Sequence, residues 1–476
     1  MEYKKNNGGN IEMLSKNVVM VGFGSIGQAT LPFLINTLKI PSDRIHIITA
    51  DASGAKLAKH YGIDLKIHTL TPHNYESILK PLLKDGGVLL NLSVNVSSFA
   101  LVKMCHKLNA LYLDTCIEPW EGRYTDKSIS IQKRSNYALR EEALAMRKKL
   151  KDGPTALLAH GMNPGLISHF LKQALVNVAN DTNVSFSAPK TQEDWAHLAA
   201  KLNVKAIHVA EQDMQITAKK RQEHEFVNTW SVDGFLSEGQ QPAELGWGTH
   251  EKYFPKDGKR HPTGCKAAIY LQQPGLATNT RSWTPQYGPY QGFLITHNES
   301  ISTADYLTVK KDGEVKYRPT VYYSYRPAND AILSIHEMEG NNFQSPQSKR
   351  ILNDEITSGV DELGILLMGH KKGAYWYGSQ LDIHEARKLA PHCNATALQV
   401  VAGILCGLDW MIRHPRKGIV EPENIDYDEA LKVAMPYLGK MGGHYSDWTP
   451  LKNLSHLFPW DVDAQDPWQF KNFRIS

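Results

Sequence analysis

Cysteine is scarce in this chain: Cys105, Cys116, Cys265, Cys393 and Cys406 are all it has in 476 residues, and none is spaced as CxxC. That argues against a disulfide framework and for a reducing cytosol. Long apolar runs are also missing. No uninterrupted run reaches the roughly 18 residues of a spanning helix, and the opening MEYKKNNGGNIEMLSKN lacks a signal-peptide core. Residues 1–15 read as a disordered lead-in, and the expected setting is soluble and cytoplasmic. Neither sign of charge dominates. Lys and Arg total 53 against 49 acids, a formal +4 that is too small to argue for nucleic acid or a membrane surface. Lys148, Lys149, Lys151, Lys371 and Lys372 are simplest as solvated faces. Metal-ligand spacing is absent as well: His384 to His392 is not HExxH, and His336-Glu337 lacks a second histidine at the needed distance. No metal is expected, and no internal repeat or low-complexity tract occurs.

What is present is an ordinary globular composition, 42% apolar and 21% charged. The length exceeds one ordinary core, so two intertwined domains, or one large α/β domain with insertions, are expected. Val18 to Gly22 is a continuous apolar run, as in a buried parallel strand. A helical pattern through Leu31, Leu34, Ile35 and Leu38 follows, and Pro41 ends it. Strand-like runs recur at 45–50, 66–70, 88–92 and 111–114, separated by helix-length stretches. This alternation predicts an α/β fold with an N-terminal Rossmann doubly wound parallel sheet over 16–160. A charged helix is expected over about 133–150, then a short strand at 157–159.

Beyond about residue 180, turn residues and aromatics multiply (HPTGC, QQPG, SWTPQYGPYQG). A second α+β domain for substrate and dimer contacts is expected over 161–390, with β-like stretches at 293–296 and 321–325. The apolar stretch 395–410 reads as a buried helix opening a C-terminal helical segment, 391–476, which partly returns to the Rossmann core.

Gly22-Phe-Gly24-Ser25-Ile26-Gly27 matches GxGxxG between a strand and a helix. Gly22 permits the tight turn, Gly24 lets backbone approach a pyrophosphate, and Gly27 lets helix and strand pack closely. The free N–H groups around Ser25 and Ile26 then face the phosphates. Asp51, 24 residues beyond Gly27, can accept from ribose hydroxyls and would repel a 2′-phosphate. No arginine stands beside it, which favours NAD over NADP. Asn91, Ser93 and Asn95 follow the fourth strand, where such folds place their ligands, and are candidates for the nicotinamide half. Ser97 or Ser98 is as readily a helix N-cap. Asp114 and Glu118 at the next strand end are either caps or site groups.

The second half mixes acids with aromatics in glycine-rich loops: Glu211 and Asp213, Trp230 with Asp233 and Glu238, His297 with Glu299. A carboxylate beside an indole face suits a cationic amine, with a cation–π term of about 0.5–2 kcal/mol. Each Trp taken singly is more simply core, and each acid more simply solvated surface. Their clustering shifts the balance.

GFGSIGQATLPFL, LNLSVNVSS, DTCIEPW, HGMNPGLISHF, NTWSVDGFLSEG and GFLITHNESIS together resemble the bacterial homospermidine synthases, relatives of saccharopine dehydrogenase. The resemblance runs from about residue 16 to the end. It implies an NAD-dependent homodimer that joins two putrescines, or putrescine and spermidine, releasing ammonia or 1,3-diaminopropane. The cofactor would be reduced and reoxidised within one turnover. By the same resemblance Trp230 holds the cationic intermediate, Glu211 and Glu238 orient ammonium groups, and Asn163 places the reacting amine. His297 lines the pocket and moves protons. Glu118, Asp361 and Glu362 are assigned to the far amine or the pocket mouth. Asn95 is neutral where an acid would serve a cation, which leaves its role open.

Two other readings compete. A saccharopine- or carboxynorspermidine-type dehydrogenase would want arginines in the pocket loops for substrate carboxylates. The 230–238 segment has none, and Arg281 beside Trp283 is the nearest. A non-catalytic NAD sensor would not require so many polar groups in a second domain.

Overall fold

The computed structural model describes residues 16–475 except 455, 456 and 458. The expected lead-in, 1–15, lies outside the described residues. The first sheet has seven strands, all parallel. Six are β1 (Val18–Val21), β2 (Ile45–Thr49), β3 (Leu65–Ile67), β4 (Gly87–Asn91), β5 (Ala110–Asp114) and β6 (Ala156–Leu157). Their spatial order is β6-β5-β4-β1-β2-β3, and Ile419–Val420 adds a strand beside β6. The order reverses between β1 and β4, where the connections pass to opposite faces of the sheet. That switch point is where a doubly wound sheet leaves a crevice at the strands' carboxyl ends. β1, β4 and β5 are buried at every position, which explains why they read as unbroken apolar runs.

The second sheet is mixed. The strand Ala206–Asp213 runs parallel to Thr320–Arg326 on one side and antiparallel to Val360–His370 on the other. Helices Leu166–Asp181 and Ala395–Arg413 join the two sheets, and one apolar cluster runs from Met20 and Leu90 through Phe170 and Leu405 to Ile365. Ala395–Arg413 is long and apolar enough to cross a membrane, but 89% of its apolar stretch is buried inside the protein. It is a core helix of this fold. Its N-terminus is capped by Asn394, whose side chain accepts from the Ala397 N–H at 2.7 Å.

The C-terminal segment is less helical than expected. Past Arg413 it supplies Ile419–Val420 to the first sheet, then Lys440–Ser446 and Arg474–Ile475 to the second. The apolar period that marked a helix stops at Arg413. Lys440–Ser446 carries two glycines, Arg474–Ile475 is two residues long, and both are only partly buried, so they carry little pattern of their own.

Candidate active site

A cleft of about 950 Å³, counted out to its open mouth, lies between the two sheets. Ile26, Leu92 and Ser93 wall one end. Glu118, Asn163, Glu238 and His297 lie further along, and Glu211, Trp230 and Tyr323 also line the wall.

The glycine turn fits a dinucleotide. Gly22 has φ +88, and a Cβ there would lie 2.8 Å from the Leu92 backbone. A Cβ on Gly27 would meet the Gly22 carbonyl at 2.7 Å, so helix α1 (Ser25–Asn36) can approach β1 only with glycine there. Gly24 faces open space, with nothing within 4 Å of its would-be Cβ. The first turn of α1 has no side-chain cap and no acid, which leaves its N–H groups to an anion. Asp51 is exposed just beyond β2, where its Oδ1 accepts from the Ser53 N–H at 2.8 Å. The Ser53 hydroxyl, and then this N–H, hold its carboxyl below its ordinary value. These residues would hold the phosphates and a ribose of NAD.

Asn91 and Ser93 line the same end, with the Ser93 hydroxyl donating to Asn91 Oδ1 at 2.7 Å. Ser97 is the N-cap of the next helix. Asn95 does not line the cleft. It is exposed in a left-handed turn (φ 63), and its backbone N–H reaches Glu118 Oε2 at 3.5 Å. Asp114 requires a correction as a cofactor ligand: it is wholly buried and committed to the fold. Its Oδ1 accepts from the Ala159 N–H at 2.6 Å and its Oδ2 from Tyr112 Oη at 2.8 Å. Burial pushes its carboxyl up to about 7, against the pull of those bonds.

The substrate end is built by strand register. Glu211 pairs with Tyr325 on one side and Leu363 on the other, and Asp213 pairs with Asp361. Because side chains alternate along a strand, Glu211, Asp213, Tyr323, Tyr325, Asp361 and Leu363 share the face toward the cleft. Glu362 must point the other way. It accepts from the Gln286 N–H at 3.0 Å and Gln380 Nε2 at 2.6 Å, on the face away from the cleft, so it is not a substrate group. Tyr323 Oη donates to Glu211 Oε2 at 2.5 Å. Helix Ala395–Arg413 adds Thr396, Gln399 and Val400, spaced i, i+3, i+4 and hence on one helix face. Thr396 Oγ1 donates to Asp361 Oδ2 at 2.6 Å.

His297 stands between two carboxylates. Its Nε2 is 3.1 Å from Glu238 Oε2 and its Nδ1 3.1 Å from Glu299 Oε1, with Asn163 Oδ1 at 3.3 Å. Burial alone would favour the neutral ring, but the charges of Glu299 and Glu238 outweigh it and raise the imidazole to about 10. The ring is therefore an imidazolium that donates to both acids. Glu118 is pushed up to about 8, first by burial and then by the charge of Glu238. Burial also raises Glu211, Asp213 and Asp361, and the charges of neighbouring acids add to the rise at Glu211 and Asp361. Asn163 Nδ2, Glu299 Oε2, Asp361 Oδ1 and Gln399 Oε1 are buried with no hydrogen-bond partner among the described residues. A buried polar atom left so costs about 1–3 kcal/mol, and of these four Asn163 and Gln399 belong to the cleft wall, where a guest could meet them. The cleft wall contains no lysine or arginine. Arg281 donates instead to the carbonyls of Asn472 and Arg474, outside the cleft wall.

Tyr323, Tyr325, Thr396, Gln399 and Cys116 carried no signal as site residues in the sequence. The tyrosines sit in an apolar strand and Thr396 and Gln399 in an apolar helix, so only register and helix facing assign them. Glu299 was visible beside His297 but had no role until the ring contact appeared.

The family model for the saccharopine dehydrogenase NADP binding domain matches residues 18–157, and that for the saccharopine dehydrogenase C-terminal domain matches 161–447. The chain is 49% identical over 465 residues to the homospermidine synthase of Mesorhizobium japonicum, covering 96% of each. It is 48% identical over 462 residues to that of Blastochloris viridis, covering 96% of this chain and 97% of the relative. The solved homospermidine synthase from Legionella pneumophila in complex with NAD is 46% identical, with a TM-score of 0.92 over 97% of this chain and 98% of that one. Saccharopine dehydrogenase from Saccharomyces cerevisiae, 14% identical with a TM-score of 0.50 over 91% of this chain and 100% of that one, shares the fold. With a Rossmann crevice opening onto an acid-lined, arginine-free cleft, and with relatives this similar along nearly the whole length, the chain belongs to the homospermidine synthases of the saccharopine dehydrogenase-like group.

Proposed function

We propose that this cleft joins two putrescines, or putrescine and spermidine, into homospermidine, with NAD recycled within each turnover. The observation that carries the reading is the cleft itself: acids and one indole face line it, no lysine or arginine does, and its one charged imidazole, His297, is already held between Glu238 and Glu299. A polyamine meets carboxylates at its ammonium groups and apolar surface along its methylenes. A substrate bearing carboxylates would meet repulsion.

When bound, NAD supplies a two-electron acceptor next to the amine-bearing carbon and returns the electrons later in the same turnover. The chain's own groups do the rest. An ammonium has no lone pair to push, so the reacting nitrogen must first lose a proton. Glu211, raised by burial and held by Tyr323, accepts it. The resulting iminium is a flat cation, and Trp230 at the cleft wall offers it a π face. Glu118 and Glu238 orient the ammonium of the second amine, and the Asn163 amide oxygen accepts an N–H of the attacking nitrogen, which leaves that nitrogen's lone pair free. His297, charged and set between Glu238 and Glu299, gives a proton to the departing nitrogen. The enclosing walls keep water from the imine, which would otherwise hydrolyse.

The test is to incubate the protein with putrescine and NAD and identify the products by mass. Homospermidine and ammonia should form while NADH absorbance stays near baseline. Stoichiometric NADH build-up would instead establish a dehydrogenase. A cytosolic homodimer belongs to the same proposal. The five cysteines, all free, support a reducing setting, and light scattering on the purified protein tests the dimer.

A further inference from the structure

Tyr325 lies behind the cleft wall. It is fully buried, does not itself line the cleft, and touches the wall residues Trp230 and Tyr323. The indole Nε1–H donates to Tyr325 Oη at 3.1 Å. The tyrosine ring is itself fixed, stacked on Tyr323 at 5.2 Å between centroids and edge-on to Phe235 at 5.5 Å. Phe235 also packs on the indole at 5.4 Å. At the other end of the indole, a Cβ on Gly234 would lie 3.2 Å from Trp230 Cζ3, so the six-membered ring abuts the helix Val232–Gly239. Trp230 is thus held at its polar edge by Tyr325 and at its apolar edge by backbone.

Packing alone does not call for a tyrosine here. Phenylalanine would fill the same space without taking a hydroxyl out of water, which costs free energy unless the hydroxyl is bonded. The indole N–H is a donor only and needs an acceptor when drawn away from solvent. Donating that hydrogen also moves electron density into the ring and makes its face more attractive to a cation. We propose that Tyr325 is a positioning residue whose hydroxyl sets the rotation of Trp230 and strengthens its π face toward the cationic intermediate. This rests on the cation–π role given to Trp230 above.

A double-mutant cycle tests it: Tyr325→Phe, Trp230→Phe and the pair, each assayed for homospermidine formation from putrescine and NAD alongside melting temperature. Tyr325→Phe should lower kcat about two- to tenfold, the range of one neutral hydrogen bond, with KM little changed. In the Trp230→Phe background the same change should matter less than about twofold, because phenylalanine has no N–H to give. An equal loss in both backgrounds, or no loss beside Trp230, overturns the proposal. The indole N–H resonance of the unaltered protein, assigned by its absence in Trp230→Phe, gives a reading even if a variant fails to fold. It should be downfield and protected from exchange, and a water-like, fast-exchanging resonance overturns the proposal. Failure of the cation–π role is a separate result: Trp230→Ala would then keep full activity per folded molecule, whatever Tyr325→Phe does.

Discussion

The two sheets build their parts of the site by opposite means. The first sheet uses one contiguous stretch: strand, glycine turn and helix from Val18 to Asn36, with the carboxylate of Asp51 one strand further on. The second gathers Glu211, Trp230, Glu238, His297, Asp361 and Thr396 from six separate elements and turns. Backbone does the binding in the first case, so it depends on glycines and on a helix end. Charge in a buried cleft does it in the second, so each group depends on its neighbours. The difference teaches that the dinucleotide end of the cleft is built locally and separably, whereas the acid-lined end is built collectively.

The largest effect should come from the collective half, at Trp230. Trp230→Lys should be nearly inactive through like-charge repulsion. Trp230→Ala should lose about two- to thirtyfold from the cation–π term, more with the cavity, and Trp230→Phe should keep part of the activity. Turnover and melting temperature on the same samples decide the matter. Activity falling only in step with stability would make Trp230 a core residue.

Next is pH, which tests whether the acids act as one array. Folded Glu118 keeps its proton to about pH 8, while unfolded it releases it near 4.5. Between those values the fold binds more protons than the unfolded chain, so the ligand-free protein should lose stability as pH rises through that window. His297 acts in the same direction higher up: raised to about 10, its contribution is full below the usual 6.5 and fades through 10. A polyamine cation favours the ionised acids, so its gain in melting temperature should grow from pH 6 toward about 8 and be accompanied by proton release. A gain that does not vary with pH would break the array picture.

Asp51→Ala probes the local half. NAD binding should weaken by about tenfold or more, the scale of a charge-assisted hydrogen bond, and the preference over NADP should narrow. Cofactor titrations read both. Equal use of the two cofactors by the unaltered protein would mean that Asp51 does not reach the ribose.

The smallest functional effect should be at Glu362→Gln. This change should cost about 1 kcal/mol of stability through weakened bonds to Gln286 and Gln380, with turnover per folded molecule unchanged. Asp361→Asn, one residue away on the cleft face, should change KM for putrescine. If Glu362→Gln alters KM, the register argument fails.

The sequence by itself determined the Rossmann half, because each signal there is short-range. A buried parallel strand is a run of apolar residues, a tight turn is glycine, and GxGxxG spans six positions. It also marked Trp230, Glu238 and His297, since an acid or aromatic in a glycine-rich loop stands out locally. Tertiary structure alone decided which carboxylates lie on the cleft side of their sheet. Asp361 and Glu362 are adjacent in the chain and alike in chemistry, and only the pairing of Asp361 with Asp213 across two strands separates them. Asp114 reads as a ligand by its place at a strand end, yet the Tyr112 hydroxyl and the Ala159 amide claim both its oxygens. Tyr323 and Thr396 came to line one cleft only when a strand and a helix far apart in the chain packed together. Charge state was likewise outside the sequence's reach. The imidazolium of His297 follows from two carboxylates brought to 3.1 Å in a buried cleft, and electrostatic energy depends on distance and burial, which the sequence does not contain.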